Sequence, residues 1–231
     1  MLFPRRLIRL LAVLALLLSA PLTPAHNKLS DAEIEAWFNN KSSDAPPVAN
    51  PNPGQLRFLA APLRKNVHHH HNTFIVYKES LENGWVKMQQ CHEHLDIIPR
   101  AEVLYSSLKI RALKITTAVN IEKAWVDKNS VQLQNVQQGA RLCVEADSKT
   151  LERNQDGSYT LYSGPFMRRF LDGFFPMRVS MDLRLPKEIQ FVGISPPEQS
   201  GFRVNQHAAG VHFDAWFEGK LFTQIKLKAI N

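Results

Sequence analysis

The sequence lacks the short motifs that mark the common classes of enzyme. It contains no G-x-S-x-G nucleophile turn, no H-E-x-x-H zinc helix, no C-x-x-C pair and no glycine-rich phosphate loop. It also lacks a basic run interleaved with aromatic residues, so a nucleic-acid partner is not expected. These absences favour a protein that acts by binding. Enzymatic activity is left open as a second alternative, and it would then depend on a metal.

The apolar run near the N-terminus covers only residues 10–18, which is short for a membrane span. Arg5, Arg6 and Arg9 precede it, and small residues and two prolines follow it up to Ala25. This order predicts a Sec-type signal peptide over residues 1–25 and a periplasmic or secreted protein that is not an integral membrane protein after cleavage. Without these three arginines, 25 basic side chains face 21 acidic ones, and the net charge falls from +7 to +4.

Cysteine is scarce, since Cys91 and Cys143 are the only two in the chain. In the oxidising compartment that a signal peptide implies, such a pair is expected to form a disulfide. Two alternatives remain open. Both cysteines could be buried free thiols, or Cys91 could be a metal ligand beside His92 and His94.

The residues that follow the signal predict a short helix and a linker. Ser30 and Glu33 have the spacing of a capping box, which predicts a helix that ends at about Phe38. The stretch 39–54 is rich in proline, asparagine and serine and has no periodicity. Residues 26–54 are therefore predicted as a short helix followed by a linker.

The pattern of the remaining residues, 55–231, predicts mostly β-strands. Runs rich in Val, Ile, Phe, Tyr and Leu are separated by turn dipeptides at Asn83-Gly84, Gln138-Gly139 and Asp156-Gly157. We therefore predict one all-β domain, a β-sandwich or a partly closed β-barrel, after the short N-terminal helix. The last two strands show the clearest alternation of apolar and polar residues. The predicted strands are 56–61, 69–79, 85–98, 108–117, 121–126, 141–146, 159–162, 177–185, 188–194, 211–217 and 221–229.

Six of the nine histidines fall between His68 and His94. If Asn83-Gly84 forms a two-residue type I′ turn, the numbers of paired residues sum to 167 and His94 faces Thr73. A slip of one residue would bring His68 and His70 to the face that otherwise carries His69 and His71. Because side chains alternate along a strand, the first register predicts a single face with His69, His71, His92, His94 and Asp96.

Imidazole and carboxylate groups arranged in this way suit copper or zinc. The hairpin is therefore a predicted metal site, and two other interpretations stay open: a solvated polar strand and a pH-responsive surface. His26 is a further candidate copper ligand, because cleavage after Ala25 would leave its α-amine and its ring nitrogen at the new N-terminus.

A second unusual segment covers residues 163–179, with four phenylalanines and two methionines within twelve residues. Ser163 as a cap, Pro165 in the first turn and Gly173 at the end predict a short helix there. The segment is interpreted either as a plug that closes the sandwich or as a site for an apolar ligand, a lipid or a protein partner. The candidate residues of that site are Phe166, Arg168, Arg169, Phe170, Phe174 and Phe175.

These patterns together predict an exported envelope binding protein. The first hypothesis is copper or zinc binding at the histidine hairpin, and its alternative is an apolar-ligand, lipid or assembly role for the phenylalanine-rich segment. The residues do not point to a specific partner or substrate.

Overall fold

Two β-sheets account for nearly all of the regular secondary structure in the computed structural model. The structure describes Asn52 and residues 54–60, 67–170 and 173–230. The predicted signal peptide, His26, the predicted N-terminal helix and most of the predicted linker lie outside these residues. Within the described ranges, no helix is long and apolar enough to cross a membrane. The all-β prediction is confirmed.

The two sheets differ in size. The larger sheet contains β1 (Arg57–Phe58), β2 (His69–Ile75), β3 (Trp85–Glu93), β4 (Ile98–Leu104), β5 (Ile110–Asp127), β6 (Ser130–Lys149), β11 (Met177–Arg184), β13 (Phe202–His207) and β14 (Gly210–Glu218). The smaller sheet contains β7 (Leu151–Arg153), β8 (Tyr159–Phe166), β12 (Ile189–Ser195) and β15 (Leu221–Ala229). A two-stranded ribbon consists of β9 (Arg169–Phe170) and β10 (Gly173–Phe174), and one helical turn, α1, covers Ser80–Asn83.

The order of strands puts the histidine hairpin at the centre of the larger sheet. That order is β1-β14-β11-β2-β3-β6-β4, with β13 beside β14 and β5 beside β6. Strands β11 and β2 are parallel, whereas the other pairs in this sheet are antiparallel. The smaller sheet runs β12-β15-β8-β7 and is antiparallel. Both strands of the hairpin are therefore paired on both sides.

The core lies between the two sheets, and the C-terminal strands show how it is built. Alternate side chains of β14 and β15 are buried, as the alternation predicted. The chain passes from one sheet to the other at Gly219, where φ is 91° and a Cβ atom would lie 2.1 Å from the carbonyl oxygen of Gln55. Only glycine fits there. The buried residues are Val211, Phe213, Ala215 and Phe217 of β14 and Leu221, Thr223, Ile225 and Leu227 of β15.

The long hairpin of β5 and β6 differs from the prediction, which divided it into three short strands. Irregular pairing keeps the two strands continuous: the register shifts between Arg111 and Lys114 and at two later points in β5. Gly139 lies inside β6 with a φ of 74°, so the predicted turn at Gln138-Gly139 is wrong. Gly139, which the sequence pattern places in a turn, is instead a local irregularity within a strand.

Cys91 and Cys143 form a disulfide, as predicted. The two residues face each other across β3 and β6, and 52 positions separate them in the sequence. The bond therefore closes a long loop and fixes the pairing of the hairpin with its neighbour β6.

Replacing both cysteines (Cys91→Ala with Cys143→Ala) should lower the free energy of unfolding by about 4 kcal/mol, the loop-closure value for a loop of this length. Urea unfolding of the double variant and of the oxidised parent measures the difference. A loss below about 1 kcal/mol would show that the unfolded chain gains little freedom when the bond is removed.

Candidate functional site

The register of β2 and β3 decides which histidines meet. In the structure the numbers of paired residues sum to 162, so His70 faces His92 and Asn72 faces Gln90. The predicted sum of 167 is wrong, because Asn83-Gly84 is not a two-residue turn. Instead, α1 occupies the connection and is capped by Gly84, which has a left-handed φ of 76°. The difference of five positions is odd and reverses the face of one strand relative to the other.

The predicted five-residue face is therefore wrong. His70, Asn72 and Phe74 of β2 point into the sandwich, and they pair with His92, Gln90 and Met88 of β3. His69 and His71 lie on the outer face of the sheet, opposite Glu93 and Cys91. The inner face carries the histidines that a slip of one residue would have brought there, His68 and His70 beside His92, but the pairing differs from the predicted one by five residues.

His94 and Asp96 lie beyond the end of β3, where both are exposed. His94 has a φ of 54°, which takes the chain out of the sheet. Asp96 accepts hydrogen bonds from Arg168, at 2.5 Å from Nη2 and 3.2 Å from Nε. The structure thus joins one residue of the predicted metal site to one residue of the phenylalanine-rich segment.

On the outer face, the imidazoles of His69 and His71 both contact Ser180, with Nε2 and Nδ1 respectively at 2.7 and 2.8 Å from Oγ. His71 Nε2 is also 3.6 Å from the carboxylate of Asp182, which in turn lies 2.9 Å from His212 Nδ1. Among the described residues, no group of three or more His, Cys, Asp or Glu side chains is arranged to hold a metal ion. Copper or zinc binding stays a prediction.

A cavity of about 760 Å³ lies between the inner faces of the two sheets. Its buried wall contains His70, Asn72, Gln90 and His92 from the histidine hairpin. Side chains at its mouth are exposed, and they come from the β4–β5 connection, β6, β7 and β15: Lys109, Lys149, Glu152, Phe222 and Gln224. The volume is in the range typical of small-molecule sites.

Four side chains form a hydrogen-bonded series that we call the polar chain: His68, His92, Gln90 and Asn72. The last three lie on the buried wall, and His68 extends the series beyond it. Gln90 Oε1 can only accept, so His92 Nε2 carries the hydrogen of that 3.0 Å contact. The Nδ1 atom of neutral His92 then accepts from His68 Nε2 at 3.1 Å. Gln90 Nε2 donates to Asn72 Oδ1 at 3.0 Å. Tyr105 adds a second donor to Gln90 Oε1 at 2.5 Å.

The titratable groups of this wall are uncharged at neutral pH. Burial and, to a smaller extent, the neighbouring His68 lower the pKa of His92 from 6.5 to about 3. Burial also lowers the pKa of His68 to about 4, where Arg168 acts in the same direction and Asp96 opposes. For His70, burial and then His92 and His68 hold the pKa well below 6.5, and the neighbouring Asn72 side chain acts in the opposite direction. Burial raises the pKa of the Tyr105 hydroxyl.

Three buried polar atoms of residues that line the cavity have no hydrogen-bond partner within the described protein: Nε2 of His70, Nδ2 of Asn72 and Oγ1 of Thr150. Asn72 is 1% exposed and His70 is 9% exposed. A buried polar atom without a partner costs free energy and needs an explanation in a native fold. On the facing sheet, by contrast, the hydroxyls of Ser163 and Thr223 satisfy each other at 2.9 Å.

The phenylalanine-rich segment does not form the predicted helix. Strand β8 continues to Phe166, which pairs with Leu221 of β15. Phe166 is buried, lines the cavity and packs edge-on against His70, with ring centroids 5.2 Å apart. Phe166, a predicted ligand residue of this segment, therefore lines the same cavity as the histidine hairpin.

The rest of the segment lies in the ribbon of β9 and β10. Phe174 is buried beneath the guanidinium of Arg169, whereas Phe175 is exposed and lies 5.6 Å from the guanidinium carbon of Arg168. Phe170 forms part of β9. Phe174 is therefore buried outside the main core, and Phe175 lies at the surface.

The sequence prediction missed Asn72, Gln90 and Tyr105. A signal for the first two was present, because each alternates with apolar or aromatic neighbours on its strand: Asn72 precedes Phe74 by two residues, and Gln90 follows Met88 by two. Tyr105 follows the end of β4, a strand that was not predicted.

Comparison with known proteins places no function on the cavity. No family model and no curated protein matches the chain. A mutant M1 zinc metallopeptidase of Deinococcus radiodurans, solved with a Tyr-Ser-Ala substrate, is similar at 10% identity with a TM-score of 0.39. A two-domain M1 zinc metallopeptidase mutant bound to tryptophan is similar at 10% identity with a TM-score of 0.36. Each match covers 70% of this chain and 42% of the other protein.

The buried histidines should make the fold sensitive to acid. Between pH 6.5 and about 3, His92 takes up a proton in the unfolded chain but not in the folded one, so stability falls as the pH falls through that window. The variant His92→Gln should reduce the slope of the free energy of unfolding against pH by roughly 1 kcal/mol per pH unit below pH 6.5. Urea unfolding at a series of pH values measures this, with pH 8 as the reference. Equal slopes for the two proteins would show that His92 is already protonated in the fold.

Proposed function

We propose that the protein is an exported binding protein that holds a small, largely apolar molecule in the cavity between its two sheets. The observation that carries this proposal is the cavity of about 760 Å³, whose wall contains the unpartnered atoms His70 Nε2 and Asn72 Nδ2. Apolar walls with a few convergent polar groups are typical of ligand sites. The signal-peptide pattern of residues 1–25 and the disulfide support export.

The lining of the cavity supports a largely apolar ligand. Phe74 and Met88 of the larger sheet and Phe166 of the smaller one are buried beside the polar chain. Val103 and Ile110 add partly buried apolar surface nearer the mouth. Each square ångström of apolar surface that a ligand buries there contributes about 25 cal/mol.

Binding is favoured over catalysis by the chemistry of the wall. The polar chain is uncharged, and each of its members makes at least one directed hydrogen bond with a neighbour in the chain. Tyr105 is likewise engaged, and its hydroxyl is made harder to ionise by burial. General acid–base catalysis needs a group whose pKa lies near the working pH, and burial moves His68, His70 and His92 away from it.

The proposal is tested by a substitution on β4 that places a larger side chain in the cavity. Val103 lines the cavity, whereas its neighbour Glu102 is exposed on the opposite face of the same strand. The variant Val103→Trp should bind the uncharged dye phenylnaphthylamine at least about tenfold more weakly than the parent, because the indole occupies ligand volume. The matched variant Glu102→Trp should bind it as the parent does.

Dye fluorescence titration measures both affinities, and circular dichroism checks that both variants are folded. Two results contradict the proposal: a parent protein that shows no saturable dye binding, and a folded Val103→Trp variant that binds the dye as tightly as Glu102→Trp.

A further inference from the structure

We propose that the ligand carries an uncharged hydrogen-bond acceptor, such as the carbonyl oxygen of an amide or an ester, and places it against Asn72 and His70. The inference rests on the proposed ligand-binding function and specifies the chemical class of the ligand. It follows from the direction of the polar chain and from the distribution of charge around the cavity.

The polar chain has one direction. His68 donates to His92, His92 donates to Gln90, and Gln90 donates to Asn72. The Oδ1 atom of Asn72 is occupied by this last bond, so its Nδ2 group, which is a donor only, ends the series. Successive hydrogen bonds polarise one another, which strengthens the terminal donor. The group that completes the series must be an acceptor.

In its Nε2–H tautomer, His70 can donate to the same acceptor. It lies two residues before Asn72 on β2, so both side chains are on the inner face, and its Nε2 has no partner within the protein. Stacking against His92, with ring centroids 4.3 Å apart, and edge-on packing against Phe166 hold the imidazole in place. A carbonyl oxygen has two lone pairs and can accept from both groups.

The charges around the cavity favour an uncharged acceptor. Of the described residues that line it, Lys109, Lys149 and Glu152 carry charge, and all three are exposed at the mouth. Among the lining residues that the structure describes, no cation lies on the buried wall beside Asn72 to balance a carboxylate. An ion placed there would lose its hydration without compensation.

The apolar residues around Asn72 indicate the chemical class of ligand that carries the acceptor. Phe74, Met88 and Phe166 lie on the same wall, so the atoms next to the carbonyl meet apolar surface. An acyl amide or an acyl ester combines these two properties. A free fatty acid has the chain but carries a charge, and an alkylammonium ion has the chain but can only donate.

The experiment compares probes that share one eight-carbon chain. Octanamide, methyl octanoate, octanoate and octylammonium compete with phenylnaphthylamine for the parent protein at pH 7.5 and about 0.3 M salt, which screens the lysines at the mouth. Octanamide and methyl octanoate should displace the dye at concentrations about tenfold lower than octanoate or octylammonium.

The variant Asn72→Leu removes the terminal donor and keeps the volume of the side chain. It should reduce the preference for octanamide over octylammonium from about tenfold to about twofold. Gln89→Leu is the matched control, because Gln89 is the exposed neighbour of Gln90 on the outer face. It should keep the full preference.

Equal displacement by all four probes, or tighter binding of octanoate or octylammonium, would overturn the inference while leaving the proposed function intact, since the dye would still bind. The parent protein alone decides this point, so a failure of Asn72→Leu to fold does not remove the test. A folded Asn72→Leu variant with an unchanged preference would also overturn it. Absence of dye binding would instead contradict the proposed function itself.

Discussion

The pairing of His70 with His92 determines what the interior of this sandwich can do. It turns His70, Asn72, Gln90 and His92 inward at the centre of the larger sheet. The same register turns His69 and His71 outward to Ser180. The disulfide, formed by a residue next to His92, ties this pairing to β6. Because side chains alternate, a shift of one residue would exchange the buried and exposed histidines and remove the polar chain.

The inner face is divided between two kinds of packing. Around β14 and β15 it is mostly apolar and fully buried, with Phe213 and Ile225 at 0% exposure. Around β2 and β3 it carries the polar chain and two polar atoms without partners. An apolar wall at these positions would stabilise the fold more, because buried polar groups at best recover what desolvation costs. The polar wall beside a cavity is therefore most simply explained by a ligand that completes its hydrogen bonds.

Much of the fold, and less of the site, was predictable from the sequence. The strict alternation around Phe213 and Ile225 predicted the last strands because one buried face leaves a period of two. The histidine hairpin shows no such alternation, since four consecutive histidines place imidazoles on both faces of the strand in any register. Its register depends on α1, where the hydroxyl of Ser80 accepts a hydrogen bond from the backbone N–H of Tyr77. The prediction of a two-residue turn at Asn83-Gly84 did not include this local contact. Phe166 was predicted as helical because its neighbours cap well, but pairing with Leu221 of β15 overrides that local preference.

The most direct measurement is a mass-spectrometric analysis of small molecules extracted from the protein after purification, without a metal-affinity step, from the compartment in which it resides. The account predicts one dominant compound, near one molecule per chain, with an apolar body and an uncharged carbonyl, and its absence from the Val103→Trp variant. A parent protein that yields no compound beyond those recovered with Val103→Trp would contradict the account.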